Sequence, residues 1–178
     1  MMKNLLRAVV AAGFAAFMLV GVGCNSPKMG VYNLNVTPDA SLRDSGSGKM
    51  SQVEVALVGV KEADAPVWRE YKVDSFFSGN DPFRAGAKEY TKTLTFSNDN
   101  PGVQKVTMKD PIWKVWKDRG VTQLFIFANS KNLRNAPGGP ELRRKELPLT
   151  TDRWKTETID IVVKSSGIDV PTPMEPVK

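Results

Sequence analysis

The sequence predicts a mainly β protein, an antiparallel β-sandwich of about seven strands with one short helix. Short apolar segments, several of them alternating apolar with polar residues, recur along the chain and are separated by Gly, Pro, Asn and Asp. One segment, 110–120, carries both a helix start signal and a helix stop signal. The sequence shows no regular strand–helix alternation of the parallel α/β kind, so the pattern favours two packed antiparallel sheets.

The first two predicted strands lie on either side of a flexible loop. Residues 31–36 (VYNLNV) alternate apolar with polar side chains, as a strand with one buried face does. Residues 37–49 contain turn-forming Pro, Asp and Gly and are predicted as a loop. Residues 53–60 (VEVALVGV) are dense in β-branched side chains and are predicted as the second strand.

The middle of the chain is predicted to hold an irregular insertion followed by a hairpin. Residues 61–86 contain Pro and Gly breaks as well as aromatic side chains, which indicates a short helix and an ordered loop packed against a sheet. Residues 89–96 (EYTKTLTF) and 103–108 (VQKVTM) are strand-like. The turn residues 97–102 between them predict that these two strands pair with each other.

The short helix is predicted after residue 109. Asp110 is a favourable N-cap residue, and Pro111 suits the first helical position. Trp113 and Trp116 follow at a spacing that places both on one helix face. Gly120 is predicted to end the helix.

The last predicted strands follow this helix. Residues 121–128 (VTQLFIFA) are the most apolar strand and are predicted to be central, whereas Pro148 makes 141–149 (ELRRKELPL) an edge strand, because proline cannot donate to a strand ladder. A loop at 130–140 joins the two. Residues 156–164 alternate and are predicted to point Ile159, Ile161 and Val163 inward. The sandwich domain is predicted to span 31–166, followed by a loose Pro-rich tail at 167–178.

The amino terminus has the pattern of an export signal. Lys3 and Arg7 precede fifteen uncharged, largely apolar residues, 8–22. A membrane-spanning helix needs about 20 apolar residues, so this run is short for a permanent span and suits the core of a signal peptide. Residues 1–23 are therefore predicted to be a signal peptide. Without them, the formal charge falls from +6 to +4.

Residues 19–24 (LVGVGC) end this segment with small residues and the single cysteine of the chain. The segment resembles the bacterial lipobox, and the resemblance implies that Cys24 receives a diacylglycerol, that the chain is cut before it and that the new terminus is acylated. Gly21 departs from the family pattern, which usually has Leu there. The segment also fits ordinary signal cleavage, which would leave a free thiol. Lipidation predicts a short tether at 24–30. Asn25, in place of the Asp that retains lipoproteins in the inner membrane of enteric bacteria, implies the outer membrane.

Composition excludes several kinds of site. With no histidine and one cysteine, the chain cannot form an intrachain disulfide, a Cys/His zinc site or the common nucleophile–base pairs. The sequence has no Gly-rich phosphate loop and no EF-hand spacing. We therefore predict a protein that is not an enzyme, with no cofactor, no metal and no nucleic-acid partner. An unrecognised hydrolase using paired carboxylates is the least favoured alternative.

Two groups of side chains are candidates for recognition. The predicted interaction surface is a basic cluster that could meet an acidic partner, although a solvated loop and edge strand also explain it; its members are Lys131, Arg134, Arg143 and Arg144, with Lys145 beside them. Four tryptophans could instead form a sugar-stacking face or act as lids on the core; they are Trp68, Trp113, Trp116 and Trp154.

The order of features resembles the small outer-membrane lipoprotein of the type VI secretion system. The shared features are a lipidated start, the strand VEVALVGV, and the late apolar strand QLFIFA followed by a strand rich in Ile and Val. The resemblance implies a β-sandwich that anchors an envelope complex by binding the periplasmic part of an inner-membrane partner. The Trp-Arg pair of that family is reversed here, as Arg153-Trp154, and no partner-binding residue can be carried over.

Two functional hypotheses follow from these observations. The first is a lipid-anchored protein, facing the periplasm, that tethers or assembles an envelope complex through 61–86 or the loop 130–140. The second is a lipid-anchored binding module for a glycan or small ligand that uses exposed tryptophans.

Overall fold

A computed structural model describes residues 28–135 and 139–176 of the chain. Cys24 and the predicted signal peptide, 1–23, lie outside the described residues. The described strands, in chain order, are β1 (Asn33–Pro38), β2 (Val53–Val60), β3 (Thr91–Phe96), β4 (Gln104–Val106), β5 (Gln123–Asn129), β6 (Arg144–Pro148), β7 (Thr158–Lys164) and β8 (Gly167–Asp169). The described α-helices are α1 (Ala65–Glu70), α2 (Val73–Phe76), α3 (Pro82–Ala87) and α4 (Ile112–Asp118).

The strands form two four-stranded sheets, which confirms the predicted sandwich. The first sheet has the order β4-β1-β7-β8 and the second has the order β3-β2-β5-β6. The part of the chain that is described thus has eight strands and four short helices, where about seven strands and one short helix were predicted. The sheets are not wholly antiparallel, because β1 and β7 pair in parallel with Leu34 opposite Ile159. This pairing could not be predicted, because the alternation of apolar and polar residues along one strand carries no information about the direction of the neighbouring strand.

The main core fills the space between the two sheets. Alternate residues of each strand point into it, as expected for packed sheets. The prediction for β7 is confirmed, because Ile159, Ile161 and Val163 are fully buried there. Opposite them lie residues of β2 and β5, namely Val55, Leu57, Leu124 and Ile126.

A second core covers the outer face of the second sheet. Ala56 and Val58 of β2 and Phe125 and Phe127 of β5 point away from the first sheet and are fully buried against α1, α2 and α3. The phenyl rings of Phe127 and Phe76 in α2 stack with centroids 4.8 Å apart. Because β2 and β5 are buried on both faces, both read as continuous apolar runs. The prediction that 61–86 packs against a sheet is confirmed.

The predicted hairpin is wrong. β3 pairs with β2 in the second sheet, whereas β4 pairs with β1 in the first. The two strands are edge strands of opposite sheets, so the turn at 97–102 crosses from one sheet to the other. Turn residues between two strand-like segments predict that the chain reverses, and do not predict which strand it then joins.

The end of the chain is more ordered than the predicted tail. β8 begins at Gly167 and pairs with β7, so the sandwich extends past residue 166. Beyond it, Met174 makes a bridge with Trp154, and the Glu175 amide donates to the Arg153 carbonyl at 2.9 Å. The proline residues of this segment are compatible with edge positions, which need few amide donors.

The predicted short helix is confirmed as α4, with one difference at its start. The Asp110 carboxylate accepts from the Ile112 amide at 3.0 Å, but Pro111, not Asp110, occupies the N-cap position, and the helix begins at Ile112. Gly120 follows the helix with a φ of 69°, a left-handed conformation that glycine adopts at little cost.

The sandwich has two ends, which are distinguished by the loops that lie there. β1, β3, β5 and β7 begin at one end, near residues 28–32, which we name the tether end. The loops 39–52, 97–103 and 130–143 lie at the opposite end, which we name the distal end. Strands of six to eight residues separate the two ends.

Candidate functional site

At the tether end the chain is fixed to the sandwich from Lys28 onward. The Thr151 amide donates to the Lys28 carbonyl at 3.0 Å, and the Gly30 amide donates to the Leu149 carbonyl at 2.6 Å. A Cβ atom at Gly30 would overlap the ring of Tyr32, so glycine is required for this close approach. The residues 28–30, predicted as part of a short tether, are therefore held by the fold.

This anchoring places the domain close to Cys24. Lys28 lies four positions after Cys24, and a fully extended chain of that length spans at most about 14 Å. This contact could not be predicted from the sequence, because the partner residues 149–151 are remote in the chain. Within 28–135 and 139–176 no helix is both long and apolar enough to cross a membrane.

At the distal end, two loops are joined into one surface. The Asn132 side-chain amide donates to the Leu42 carbonyl at 2.9 Å and to the Ser51 hydroxyl at 3.1 Å. Leu42 and Leu133 are both buried beneath the loops. The turn at 130–133 is thereby fixed to the β1–β2 loop, so its side chains have defined positions.

Lys131 and Arg134 are exposed cations of this surface. The Lys131 ammonium lies 3.2 Å from the Asp44 carboxylate and keeps 58% of its side chain exposed. Hydrogen bonds from the Ser47 amide and from Lys131 lower the pKa of Asp44 to about 2, so this carboxylate stays ionised. The Arg134 guanidinium donates to the Lys131 carbonyl in its own turn, at 2.9 Å.

Arg143 differs from these two because its side chain is only 12% exposed. Its guanidinium lies 2.6 Å from the Asp74 carboxylate and 3.0 Å from the Glu141 carboxylate. The hydrogen bonds to Asp74 and then to Glu141 raise the pKa of Arg143. The hydrogen bond from Arg143 lowers the pKa of Asp74. Burial raises the pKa of Glu141, but the hydrogen bonds with Arg143 and Asn135 together outweigh this effect, so its pKa is lowered overall.

Arg144 also serves the fold. Its guanidinium donates to the Tyr71 carbonyl at 2.9 Å and to the Trp68 carbonyl at 3.4 Å, which holds the end of α1 on the edge strand β6. Glu146, two residues further along β6, accepts two hydrogen bonds from Arg69 of α1 at 2.5 and 2.7 Å. This part of the basic cluster therefore attaches the helical insertion to the sheet.

The predicted four-residue surface is thus divided by the structure. Lys131, Arg134 and Arg143 line one open cleft of about 480 Å³ together with Asp74, while Arg144 lies beside α1. The sequence could not show that Arg143 is paired, because its partner Asp74 lies 69 residues earlier in the chain. Among the described residues no group of three or more His, Cys, Asp or Glu side chains is arranged to hold a metal ion.

The tryptophans do not form an exposed face. All four are buried, with exposed fractions of 5% or less. Their indole N–H groups donate to backbone carbonyls in three cases: Trp113 to Thr107, Trp116 to Tyr90 and Trp154 to Pro148. The geometry therefore does not support the hypothesis that these rings stack on sugars. It supports their role as lids on the core.

Replacing Arg143 with leucine is expected to lower the free energy of unfolding by about 1–3 kcal/mol, because it leaves the half-buried Glu141 carboxylate without its partner. Asp74 is 83% exposed and should contribute little. Arg134→Leu is the matched control, with an expected change below about 0.5 kcal/mol. Urea unfolding of the two variants measures the difference. Equal midpoints would show that the ion pair between Arg143 and Glu141 does not stabilise the fold.

The stability is expected to be nearly constant between about pH 8 and pH 6 and to fall below about pH 4.5. The chain has no histidine to titrate in the upper range. Glu141 and Asp74 have folded pKa values below their ordinary values of 4.5 and 3.8, so their contribution is complete above those values and is lost as pH falls through the folded pKa. Urea midpoints across this range measure the effect, and in Arg143→Leu the loss in acid should be shallower.

Comparison with known proteins identifies similar folds. The fold resembles the lipoprotein TssJ1 of the type VI secretion system (T6SS) from Pseudomonas aeruginosa, with 16% identity, a TM-score of 0.51, and coverage of 85% of this chain and 99% of that one. It also resembles Serratia marcescens Lip, a membrane-bound component of the type VI secretion system, with 13% identity, a TM-score of 0.51 and coverage of 85% and 99%.

A third similar structure is the C-terminal domain of the T6SS protein TssM from EAEC, with 15% identity, a TM-score of 0.53 and coverage of 78% of this chain and 98% of that domain. At such identities the likeness concerns the fold. No protein-family model and no curated protein sequence matches the chain.

Proposed function

We propose that this chain is a lipid-anchored, non-enzymatic component of a type VI secretion membrane complex. In this proposal the domain faces the periplasm and is held at the outer membrane through Cys24. The observation that carries the proposal is the shared fold, which extends over nearly the whole of a T6SS lipoprotein and of a membrane-bound T6SS component. The lipobox-like segment 19–24 supports it independently.

The anchor follows from simple energetics. A buried methylene contributes about 0.8 kcal/mol, so one acyl chain holds a protein marginally and two or more hold it firmly. The diacylglycerol and acyl group implied by the lipobox resemblance would supply the firm kind of attachment. Because Lys28 is hydrogen-bonded to the sandwich, the domain would stay within a few residues of the bilayer.

We place the partner contact at the distal end. This end lies across the sandwich from Lys28, so it points away from the membrane that holds Cys24. Lys131 and Arg134 are exposed there, on a turn whose position is fixed by Asn132. We propose that these two cations meet an acidic region of an inner-membrane partner, where paired charges favour fast and specific association. Arg143 borders the same cleft, whereas Arg144 holds the end of α1 on β6.

Affinity purification of the full-length chain from detergent-solubilised envelopes tests this function. The expected result is recovery of an inner-membrane protein in about equal amount, with recovery at least about tenfold lower for the double variant Lys131→Glu, Arg134→Glu. The matched control is Lys88→Glu with Lys105→Glu, two exposed lysines outside the distal loops. Recovery of the chain alone, or equal recovery by both double variants, would contradict the proposal.

A further inference from the structure

Helix α4 closes the tether end of the sandwich. It leaves β4 of the first sheet and leads into β5 of the second, so it crosses between them. Trp113 and Trp116 point inward to the main core, with their indole N–H groups 3.0 and 2.9 Å from backbone carbonyls. The opposite face of α4 must therefore point out of this end of the molecule.

That outward face is basic. Lys117 and Arg119 are exposed, and Lys109 is exposed just before the helix. The Arg119 guanidinium lies 3.8 Å from the centre of the Tyr90 ring, which leaves its donors free to meet a second group. Asp110, the acidic residue next to Lys109, points its carboxylate to Lys92 at 2.7 Å and is largely buried there.

The neighbouring segments of the tether end add to this charge. Across 28–31, 109–119 and 151–157 the exposed cations outnumber the exposed carboxylates by six to three. The cations are Lys28, Lys109, Lys114, Lys117, Arg119 and Lys155. The carboxylates are Asp118, which pairs with Lys114, together with Asp152 and Glu157. The acidic turn Glu62–Asp64 follows β2 and borders the surface.

Two exposed hydrophobic side chains lie at the same end. Val31 follows the fixed residue Gly30 and is 38% exposed. Met174 makes a bridge with Trp154 and is 47% exposed. Large apolar side chains beside exposed cations are typical of surfaces that rest at a membrane interface.

We propose that this face, which we name the basal face, binds the phosphate groups of anionic phospholipids in the leaflet that holds the acyl chains of Cys24. The residues that make the contact are Lys28, Lys109, Lys117 and Arg119. This inference rests on the acylation of Cys24 in the proposed function. Its result is a second attachment, which sets the orientation of the domain and presents the distal end to the partner.

The length of the tether favours lipid as the occupant. At most about 14 Å of extended chain separates Cys24 from Lys28, which is hydrogen-bonded to the sandwich. A protein partner of the basal face would have to fit between the domain and the bilayer, within that distance. Phospholipid headgroups are already there, and clustered Lys and Arg near a bilayer attract anionic ones.

The test uses the acylated full-length protein, with acylation of Cys24 verified by intact mass. The protein is reconstituted into vesicles of phosphatidylcholine alone or of phosphatidylcholine with phosphatidylglycerol. The rate of acetylation of each lysine is then measured by mass spectrometry. We expect Lys28, Lys109 and Lys117 to react about fivefold more slowly in the anionic vesicles, and added salt to remove the difference. Lys49, at the distal end, should react equally in both vesicles.

A pair of variants separates charge from proximity. Lys109→Glu with Lys117→Glu should abolish the protection of Lys28, whereas Lys49→Glu with Lys105→Glu should leave it unchanged. These residues are exposed, and circular dichroism verifies that both variants remain folded. Equal reactivity of the basal lysines in both kinds of vesicle would overturn the inference while the anchor stands. Protection that appears only when an envelope protein is added would overturn it too, and a chain without acyl groups would instead overturn the proposed function.

Discussion

Replacing Cys24 with serine is expected to remove the protein from the outer membrane. In the proposed function a diacylglycerol is joined to the Cys24 thiolate. The serine hydroxyl cannot take the place of that thiolate, so neither the lipid nor the cleavage that follows it should be present. We expect the variant as an uncut precursor held by its apolar segment, 8–22, or as a cleaved soluble protein. Fractionation of envelopes, with the apparent size of the chain, distinguishes the two.

Asn25→Ser is the matched control for this experiment. It changes the adjacent residue by a similar amount and keeps the thiol of Cys24, so it should remain acylated and fractionate with the outer membrane. A Cys24→Ser variant that still fractionates with the outer membrane at its mature size would contradict lipid attachment at this residue. The domain would then have to reach the membrane by the basal face or by a partner alone.

Replacing Trp116 with alanine is expected to lower the free energy of unfolding by about 3–5 kcal/mol, the usual cost of emptying a large buried aromatic site. Trp116 is fully buried in the main core, where its ring lies directly against Gly59 of β2 and its N–H donates to the Tyr90 carbonyl at 2.9 Å. A single domain has about 5–15 kcal/mol of total stability, so this loss is a large part of it.

Trp116→Phe separates the two contributions of this side chain. Phenylalanine keeps much of the ring volume and loses the hydrogen bond, which leaves the Tyr90 carbonyl without this donor, so a smaller loss of about 1–3 kcal/mol is expected. Urea unfolding of the detergent-solubilised protein, followed by circular dichroism, measures both variants. An alanine variant within about 1 kcal/mol of the unsubstituted protein would show that α4 is not a structural lid on the tether end.

The strands that the sequence predicted best are those with the most buried surface. The bounds of β2 agree with the prediction at Val53–Val60, and β5 and β7 were located to within two or three residues. Buried side chains are mostly apolar, so a strand that is buried on both faces has a continuous run of apolar residues. The sequence could not show why β2 and β5 need two buried faces, because the covering helices are short and irregular.

Strand pairing was predicted less well. The hairpin of β3 and β4 was wrong, and the parallel pairing of β1 with β7 joins residues more than a hundred positions apart, as in the Asn35–Asp160 side-chain hydrogen bond. β4 has only three residues and one buried side chain, Val106. Such a strand carries too little pattern to specify its neighbour, which the packing of the whole sandwich decides.

The basic cluster shows the same division between composition and geometry. The sequence located the cations near the end of β5 and the start of β6, and three of the four predicted residues do line one cleft. It could not show that Arg143 and Arg144 bind groups of the helical insertion, since those groups lie 69 to 76 residues earlier. An exposed arginine and an arginine that stabilises the fold are the same residue type in the sequence, and only their contacts in the structure distinguish them.

The mass of the mature amino-terminal peptide tests the central claim most directly. We predict that the chain isolated from membranes begins at Cys24 and that this peptide carries the added mass of a diacylglyceryl group and an acyl chain. A peptide that begins at Cys24 or beyond with no lipid, or one that retains Met1 and residues 1–23 uncut, would contradict attachment of this β-sandwich to the bilayer through its one cysteine.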